Sequence, residues 1–376
     1  MADTHTALEK AERRATFALW SISGVGLAGM ETLRTAVGSL PLLLPLSVAD
    51  WDPLPAPGPL VARHLEAHGL PTLSEVADQA WERVKAARMR VCFRDDPAYP
   101  PLLRDPRIQD SPPLLFYFGP GASDRRAVAL VGSRRTGGGF VDQALRFAKE
   151  VAGAKVAVVS GAAVGVDWGC HVGAILGGGE TWAFLGSALD QIDSAQSKLC
   201  KELLDGGGTV FSEYPPGARA SRQTFPRRNR LIAGASEATV VMRARRESGA
   251  LYTAQSAHKY GRKVYVLPAD HFNAQAFGGL DLMASEVRAT LIWSARELLE
   301  RLNVVGSNTA FSQVADLDEL SPVARQAYEA MSRTPQGFDE VQRVMGVDAG
   351  ALVSALSELE LFGLVVQHPG KLYERI

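Results

Sequence analysis

From position 127 onward the chain alternates short, almost unbroken apolar runs with helix-length amphipathic segments. The runs are AVALVGS (127–133), VAVVSG (156–161), TWAFLG (181–186), TVFSEY (209–214), ATVVMRA (238–244) and KVYVLP (263–268). Most are rich in β-branched residues, and each leads through a turn into a longer stretch, the pattern of repeated βα units. Strands that do not alternate apolar with polar are buried on both faces, which requires a parallel sheet between layers of helices. The pattern predicts an α/β fold: a Rossmann-like, doubly wound, mostly parallel sheet of about six or seven strands.

The flanks read differently. Residues 1–90 form helical stretches interrupted by proline-rich segments at 41–45 and 53–59, which support no regular structure. Gly24-Val25-Gly26 separates two apolar-periodic segments there, as in a helix-hairpin-helix or SAM-like domain. Glycine amides in such a turn can hold a DNA backbone, but the flanks are not basic, which favours a plain turn between packed helices. After the βα region (91–302, with its lead-in) a polar stretch at 303–317 reads as a linker. Residues 318–376 then supply three amphipathic helices and two short strands around His368-Pro369-Gly370, a winged-helix-like domain.

With 376 residues and 46% hydrophobic composition, the chain can bury two or three cores. Cys92, Cys170 and Cys200 share no metal-ligand spacing and suggest no disulfide framework, which points to a reducing, cytoplasmic setting. Charges fall where a secretory apolar segment would lie, and no run approaches the roughly 18 to 20 residues of a membrane span. Neither a membrane nor a metal is expected as a partner. The net charge of -1 conceals a strong asymmetry: residues 218–263 carry 11 basic side chains against Glu237 and Glu247, a balance of +9, whereas 316–376 carry 10 acids against 5 bases. The middle of the chain attracts polyanions and the tail repels them.

Several reaction classes lack their signatures. There is no phosphate-binding P-loop, no H-E-x-x-H, no paired Cys-x-x-Cys and no G-x-S-x-G. The first βα turn reads GSRRTGGG, and the second strand ends in Ser160-Gly161 where a dinucleotide fold would offer an acid to the ribose, so no dinucleotide or other cofactor is expected. Small residues do recur at strand ends, in Gly132-Ser133-Arg134, Ser160-Gly161 through Gly165, and Ser248-Gly249. In a doubly wound sheet these turns share one edge, where helix amides suit consecutive phosphates of an extended strand, though small residues also simply make tight turns. Phe225-Pro226-Arg227-Arg228-Asn229-Arg230 adds three guanidiniums and an aromatic face, which favours single-stranded nucleic acid. Arginines at a helix start oppose the helix dipole and need anionic compensation. His171, near Asp167 and Cys170, lacks a second ligand and reads as packing; Asp190 could hold a ribose or cap a helix; Ser160 has no identifiable activating base. No catalytic residue is expected, and the chain is read as a binding protein.

These motifs carry a family resemblance. VALVGSRRTG, VVSGAAVGVDWGCHVGAI, SEYPPG, FPRRNRLIAGAS and ESGALYTA resemble, in order, the blocks of the DNA-processing protein A (DprA/Smf) family, and FRDDPAYPPLL and SPPLLFYFGP resemble its lead-in. The resemblance implies a homodimer that binds single-stranded DNA and helps load a RecA-type recombinase on strands covered by single-strand-binding protein, in transformation (competence) and repair. It implies that Arg134, Arg227, Arg228 and Arg230 grip phosphates, with Ser160, Gly161, Ser248 and Gly249 donating. Departures are Val164 where Arg is common, Met242-Arg243 where an acid is common, Ala250 for Ser, Ala269 for Gly, and QIDSAQSK without the usual Tyr-Pro and Asn. The rival reading is a nucleotide-processing enzyme of the LOG phosphoribohydrolase type. Those enzymes carry Pro-Gly-Gly-x-Gly-Thr followed by a catalytic Glu, whereas Glu247 here precedes its turn.

Overall fold

The computed structural model describes residues 2–134, 138–192, 194–221, 223–268, 277–304, 320–332, 334–361, 364–368, 370 and 372–375. It comprises two compact units, Met1–Val305 and Gly306–Ile376.

Helices α1 (Ala2–Trp20), α2 (Leu27–Val37), α3 (Val48–Trp51), α4 (Gly58–His68) and α5 (Leu73–Ala86) open the first unit. Gly24, at φ +94°, turns the chain between α1 and α2, a conformation that favours glycine. The helices then pass into β1 (Arg90–Phe93) and β2 (Leu114–Phe118). There follow β3 (Ala127–Gly132), α6 (Gly138–Gly153), β4 (Ala157–Ser160), α7 (Val166–Leu176), β5 (Thr181–Leu185), α8 (Ser194–Asp205) and β6 (Thr209–Ser212). The unit ends with α9 (Thr224–Gly234), β7 (Ala238–Arg243), α10 (Gly249–Lys259), β8 (Lys263–Val266), α11 (Phe277–Ala284), β9 (Thr290–Leu291) and α12 (Ala295–Arg301).

All six apolar runs are strands, and the sheet they form has nine among the described residues, in the order β1-β2-β6-β5-β4-β3-β7-β8-β9. The strands from β6 to β9 run parallel, and β1 and β2 add an antiparallel edge. Of the three additional strands, β1 and β2 lead into no α-helix, and β9 is two residues long. Burial on both faces is complete along β3, β4 and β5 up to their last residues, as the unbroken apolar runs require.

Each face of the sheet has its own core. Trp182, Phe184 and Phe211 lie on one side, and Leu130, Val158 and Val240 on the other, under α6 and α7. The latter two helices approach closely because a Cβ on Gly173 would lie 2.1 Å from the Leu145 carbonyl oxygen. A third cluster joins Leu19, Leu33 and Trp51 of the N-terminal helices to Phe116, Leu185 and Val210 of the sheet, so this helical segment packs on the sheet rather than apart from it.

From β3 the chain builds outward through β4, β5 and β6, then returns across the sheet to place β7 on the other side of β3. The carboxyl ends of β3 and β7 therefore flank a topological switch point, where adjacent βα loops diverge and leave a crevice.

The second unit contains α13 (Pro322–Ala330), β10 (Gln336–Gly337), α14 (Phe338–Met345), α15 (Ala349–Leu361), β11 (Val365–His368) and β12 (Leu372–Arg375). Its strands pair as β10-β12-β11, one more than the sequence pattern predicts, around its own core of Ala324, Val341, Leu352 and Leu359. This is a winged-helix arrangement. The linker expected at 303–317 lies outside the described residues from 305 onward, as do Pro369 of the wing turn and Ala269.

Candidate nucleic-acid interface

At the switch point the loops after β3 and β7, together with α9, enclose a cleft of ≈ 300 Å³. Gly132, Ser133 and Arg134 form one wall, Arg228 and Asn229 a second, and Arg245, Glu247, Ser248 and Gly249 a third. An adjoining cavity of ≈ 200 Å³ shares Arg134, Ala163 and Arg228 and is lined further by Gly161, Val164 and Phe225. Chain segments far apart in sequence thus meet over one stretch of surface.

Among the described residues, Arg134 and Arg245 are the exposed cations that line the cleft. The Arg134 guanidinium lies 5.3 Å over the Phe225 ring, so the aromatic face expected to stack a base carries a cation instead. Opposite, α10 begins at the cleft. Ser248 caps it by accepting from the Ala250 amide at 3.4 Å, and Asn229 Nδ2 donates to the Gly249 carbonyl at 2.9 Å, fixing the helix start against α9. The positive end of the α10 dipole faces the same space as the two arginines, a combination that suits an anionic oxygen.

Arg228 is of a different kind, only 4% exposed. It donates to the carbonyls of Gly161 (2.6 Å) and Phe184 and to Asn229 Oδ1 (3.0 Å), tying α9 to the ends of β4 and β5. Burial pulls its pKa down to about 10, against the attraction of Asp167. Asp167 sits beneath the cleft with its pKa raised by burial, opposed by Arg228 and by backbone bonds from Gly132 and Ala163. Gly161 leaves them room: an added Cβ would lie 2.7 Å from Asp167 Oδ2 and 2.8 Å from Arg228 Nη2.

The remaining expected site residues do not converge on the cleft. Ser160 is fully buried and its Oγ donates to the Leu130 carbonyl at 2.7 Å, back into the sheet. Gly165, at φ +92°, starts α7 and packs under the β3 loop, where a Cβ would lie 2.7 Å from the Arg134 carbonyl oxygen. Arg230 is 8% exposed and committed to Glu213, at 2.6 Å from Nη2 to Oε2. Arg227 is exposed but lines another cavity, beside Glu213 and Tyr214. Of the three arginines opening α9, one therefore reaches the cleft.

His171 is fully buried, and its Nδ1 lies 2.6 Å from Thr181 Oγ1, which itself donates to the Val158 carbonyl. Thr181 must then accept, which puts the imidazole proton on Nδ1. Burial and then Arg228 lower the histidine pKa to about 3, so it packs as a neutral ring. Asp190 accepts the Gly217 amide at 3.0 Å and closes a loop. Among the charged residues lining the cleft, Asp167, Arg245 and Glu247 are those that sequence reasoning did not single out as site residues. Only the place of Arg245, two residues beyond a strand end and beside a second arginine, offered a signal.

The departures from the family pattern also have places here. Val164 is 61% exposed on the wall of the smaller cavity, apolar where a guanidinium is common. Arg243 is buried with its guanidinium 3.3 Å from the Phe140 ring centroid.

A family model described as DNA recombination-mediator protein A matches residues 90–303, and one described as DprA winged helix domain matches 312–371. Protein Smf of Synechocystis sp. is 32% identical over 323 residues, covering 75% of this chain and 79% of that protein. DNA processing protein DprA of Streptococcus pneumoniae is 32% identical over 196 residues, 51% of this chain and 67% of that protein. Among solved structures, the X-ray structure of DNA processing protein A from Streptococcus pneumoniae aligns with a TM-score of 0.50 and 29% identity, covering 60% of this chain and 81% of that one. The phosphoribohydrolase reading is not favoured by these matches.

Proposed function

The chain belongs to the DNA recombination-mediator protein A (DprA/Smf) family, and from that premise we propose that it binds single-stranded DNA in the switch-point cleft and acts without chemistry of its own. The observation that supports this most is the convergence of exposed Arg134 and Arg245 with the start of α10 over one crevice. Guanidiniums and helix amides recognise phosphate oxygens at any sequence, so binding is salt-dependent and nearly indifferent to base order. Duplex DNA is the poorer ligand, because these donors lie in a narrow crevice at the sheet edge rather than on a helix that could enter a groove.

In the cell, we infer, the strand held here is the substrate of a RecA-type recombinase, which this protein, as a cytoplasmic homodimer, helps to load on DNA covered by single-strand-binding protein during transformation and repair. The family resemblance supports this part of the reading. A gel shift of labelled oligo-dT against duplex of equal length tests the binding step. Preferential, salt-sensitive retention of the single strand is expected; equal retention of both, or none, would overturn it. Recombinase loading is tested by strand exchange on DNA precoated with single-strand-binding protein, with and without this chain.

A further inference from the structure

Two carboxylates line the switch-point cleft, and they are of different kinds. Asp167 is buried beneath it and answers Arg228. Glu247 is exposed, and no hydrogen bond or ion pair joins it to another described residue. It stands on the wall formed by the loop after β7, two residues beyond Arg245 and one before Ser248, which caps α10. Arg246 beside it is taken by Asp281, at 2.7 Å from Nε to Oδ2. The positive end of α10 favours a negative side chain at this point of the chain, which accounts for the charge. It does not account for that charge lining a crevice whose exposed cations, Arg134 and Arg245, suit phosphate.

A carboxylate accepts hydrogen bonds, donates none and repels a phosphate. A single strand in this cleft therefore seats its phosphates toward the two arginines and the start of α10, and brings another group to Glu247. Within a DNA strand the sugar has no hydroxyl left to donate. The donors that remain are the N–H groups of the bases, and the bases differ in them. Cytosine and adenine each carry an amino group, and an acidic side chain accepts readily from that of cytosine. Guanine sets a ring N–H beside its amino group, a pair that matches the two oxygens of one carboxylate. Thymine has a single ring N–H between two carbonyl oxygens, which would face the carboxylate with like partial charge.

We propose that Glu247 is a specificity-determining residue of the cleft: its carboxylate accepts an N–H from the base next to the phosphate that Arg134 and Arg245 hold, and so favours guanine, cytosine and adenine over thymine. The inference rests on the single-strand reading above. Phosphate contacts supply most of the affinity and carry no sequence information, so Glu247 adds a bias of a few-fold to binding that stays broad.

The test is fluorescence anisotropy on the full chain at pH 7 with a dC 15-mer, a dT 15-mer and an abasic 15-mer, for the unaltered protein, Glu247→Gln and Arg134→Ala. The unaltered protein is expected to bind dC roughly three-fold or more tighter than dT. Glu247→Gln keeps the shape of the side chain, removes its charge and can donate to a thymine carbonyl. It is expected to bring the ratio of the two affinities close to one, and to bind the abasic strand no more weakly than the unaltered protein does. Arg134→Ala is expected to weaken binding of all three strands and to preserve the ratio. Equal affinity of the unaltered protein for dC and dT would overturn the inference and leave the cleft intact. So would a Glu247→Gln variant that shifts all three strands by one common factor, since a charge serving only the helix end acts alike on each. An Arg134→Ala variant that binds all three strands as the unaltered protein does would overturn the cleft reading, and the inference with it.

Discussion

Replacing Arg228 with alanine tests the cleft at a buried charge. The substitution strands Asp167, a buried carboxylate whose pKa burial already raises and which Arg228 opposes. It also removes the donors that reach the Gly161 and Phe184 carbonyls. Each carbonyl left buried and unpaired costs roughly 1–3 kcal/mol, less where the loops relax. The carboxylate's share has a ceiling, because the group can take up a proton instead of remaining charged. With an unfolded pKa near 3.9 and about 1.36 kcal/mol per pKa unit, the ceiling is about 4 kcal/mol at pH 7 and about 1.5 kcal/mol at pH 5.

A carboxyl whose folded pKa is raised binds its proton more tightly folded than unfolded. Its stabilising contribution is therefore complete below the unfolded pKa and is lost as pH rises through the folded one. Removing Arg228 moves that folded value further up and extends the loss toward neutrality. Urea melts of Arg228→Ala and the unaltered protein at pH 5 and pH 7 should show a stability gap that widens with pH by at most about 2.7 kcal/mol, above a pH-independent part from the carbonyls. Adding Asp167→Asn should remove the pH-dependent part and leave the rest. A gap that does not change with pH, or no gap at all, would refute the account of Arg228 as the counter-charge that holds the cleft together. For the same reason, the DNA affinity of an Arg227→Ala/Arg228→Ala double variant is meaningful only for its folded fraction, where roughly 1–3 kcal/mol should be lost per charge-assisted contact.

Arg134→Ala and Arg245→Ala, at exposed positions, should leave stability within about 0.5 kcal/mol, and each should lower single-strand affinity with a salt slope shallower by about 0.7; titrations at several salt concentrations check both, and an unchanged slope would remove that residue from the interface. Gly165→Ala should destabilise by on the order of 1–3 kcal/mol, since its φ of +92° disfavours a side chain and the new Cβ would press on the Ser133 and Arg134 carbonyls. Because it displaces the loop bearing Arg134, its folded form should also bind single strands more weakly; full affinity would show that the loop position does not matter. Deleting 316–376, where acids outnumber bases by 10 to 5, should leave single-strand affinity within a few-fold or raise it. A large loss in a truncated protein that stays folded and keeps its oligomeric state would show that the tail contacts DNA.

Much of this molecule was legible in its sequence because burial writes itself into composition. A strand covered on both faces has no polar alternation, so the six runs from Ala127 to Pro268 identified themselves, and the small residues at their ends marked the edge where the cleft lies. Segments β1 and β2 escaped notice for a related reason: they pair antiparallel, and no βα turn announces them. The site was harder to read. Arg227, Arg228 and Arg230 are chemically alike in sequence, and an arginine-rich helix start was expected to need anionic compensation. That compensation comes from Asp167, 61 positions upstream of Arg228, and Glu213, 17 positions upstream of Arg230. Residues this far apart meet only once the sheet order is set. Burial of Leu231 and Ile232 fixes the rotation of α9, and that rotation turns Arg228 toward one acid, Arg230 toward the other, and leaves Arg227 outside. A cation's partners thus decide whether it holds the fold or remains available to a ligand. By that criterion the carboxylates paired with Arg228 and Arg230 mark those two as arginines that hold the fold, while Arg227 on the same helix stays exposed.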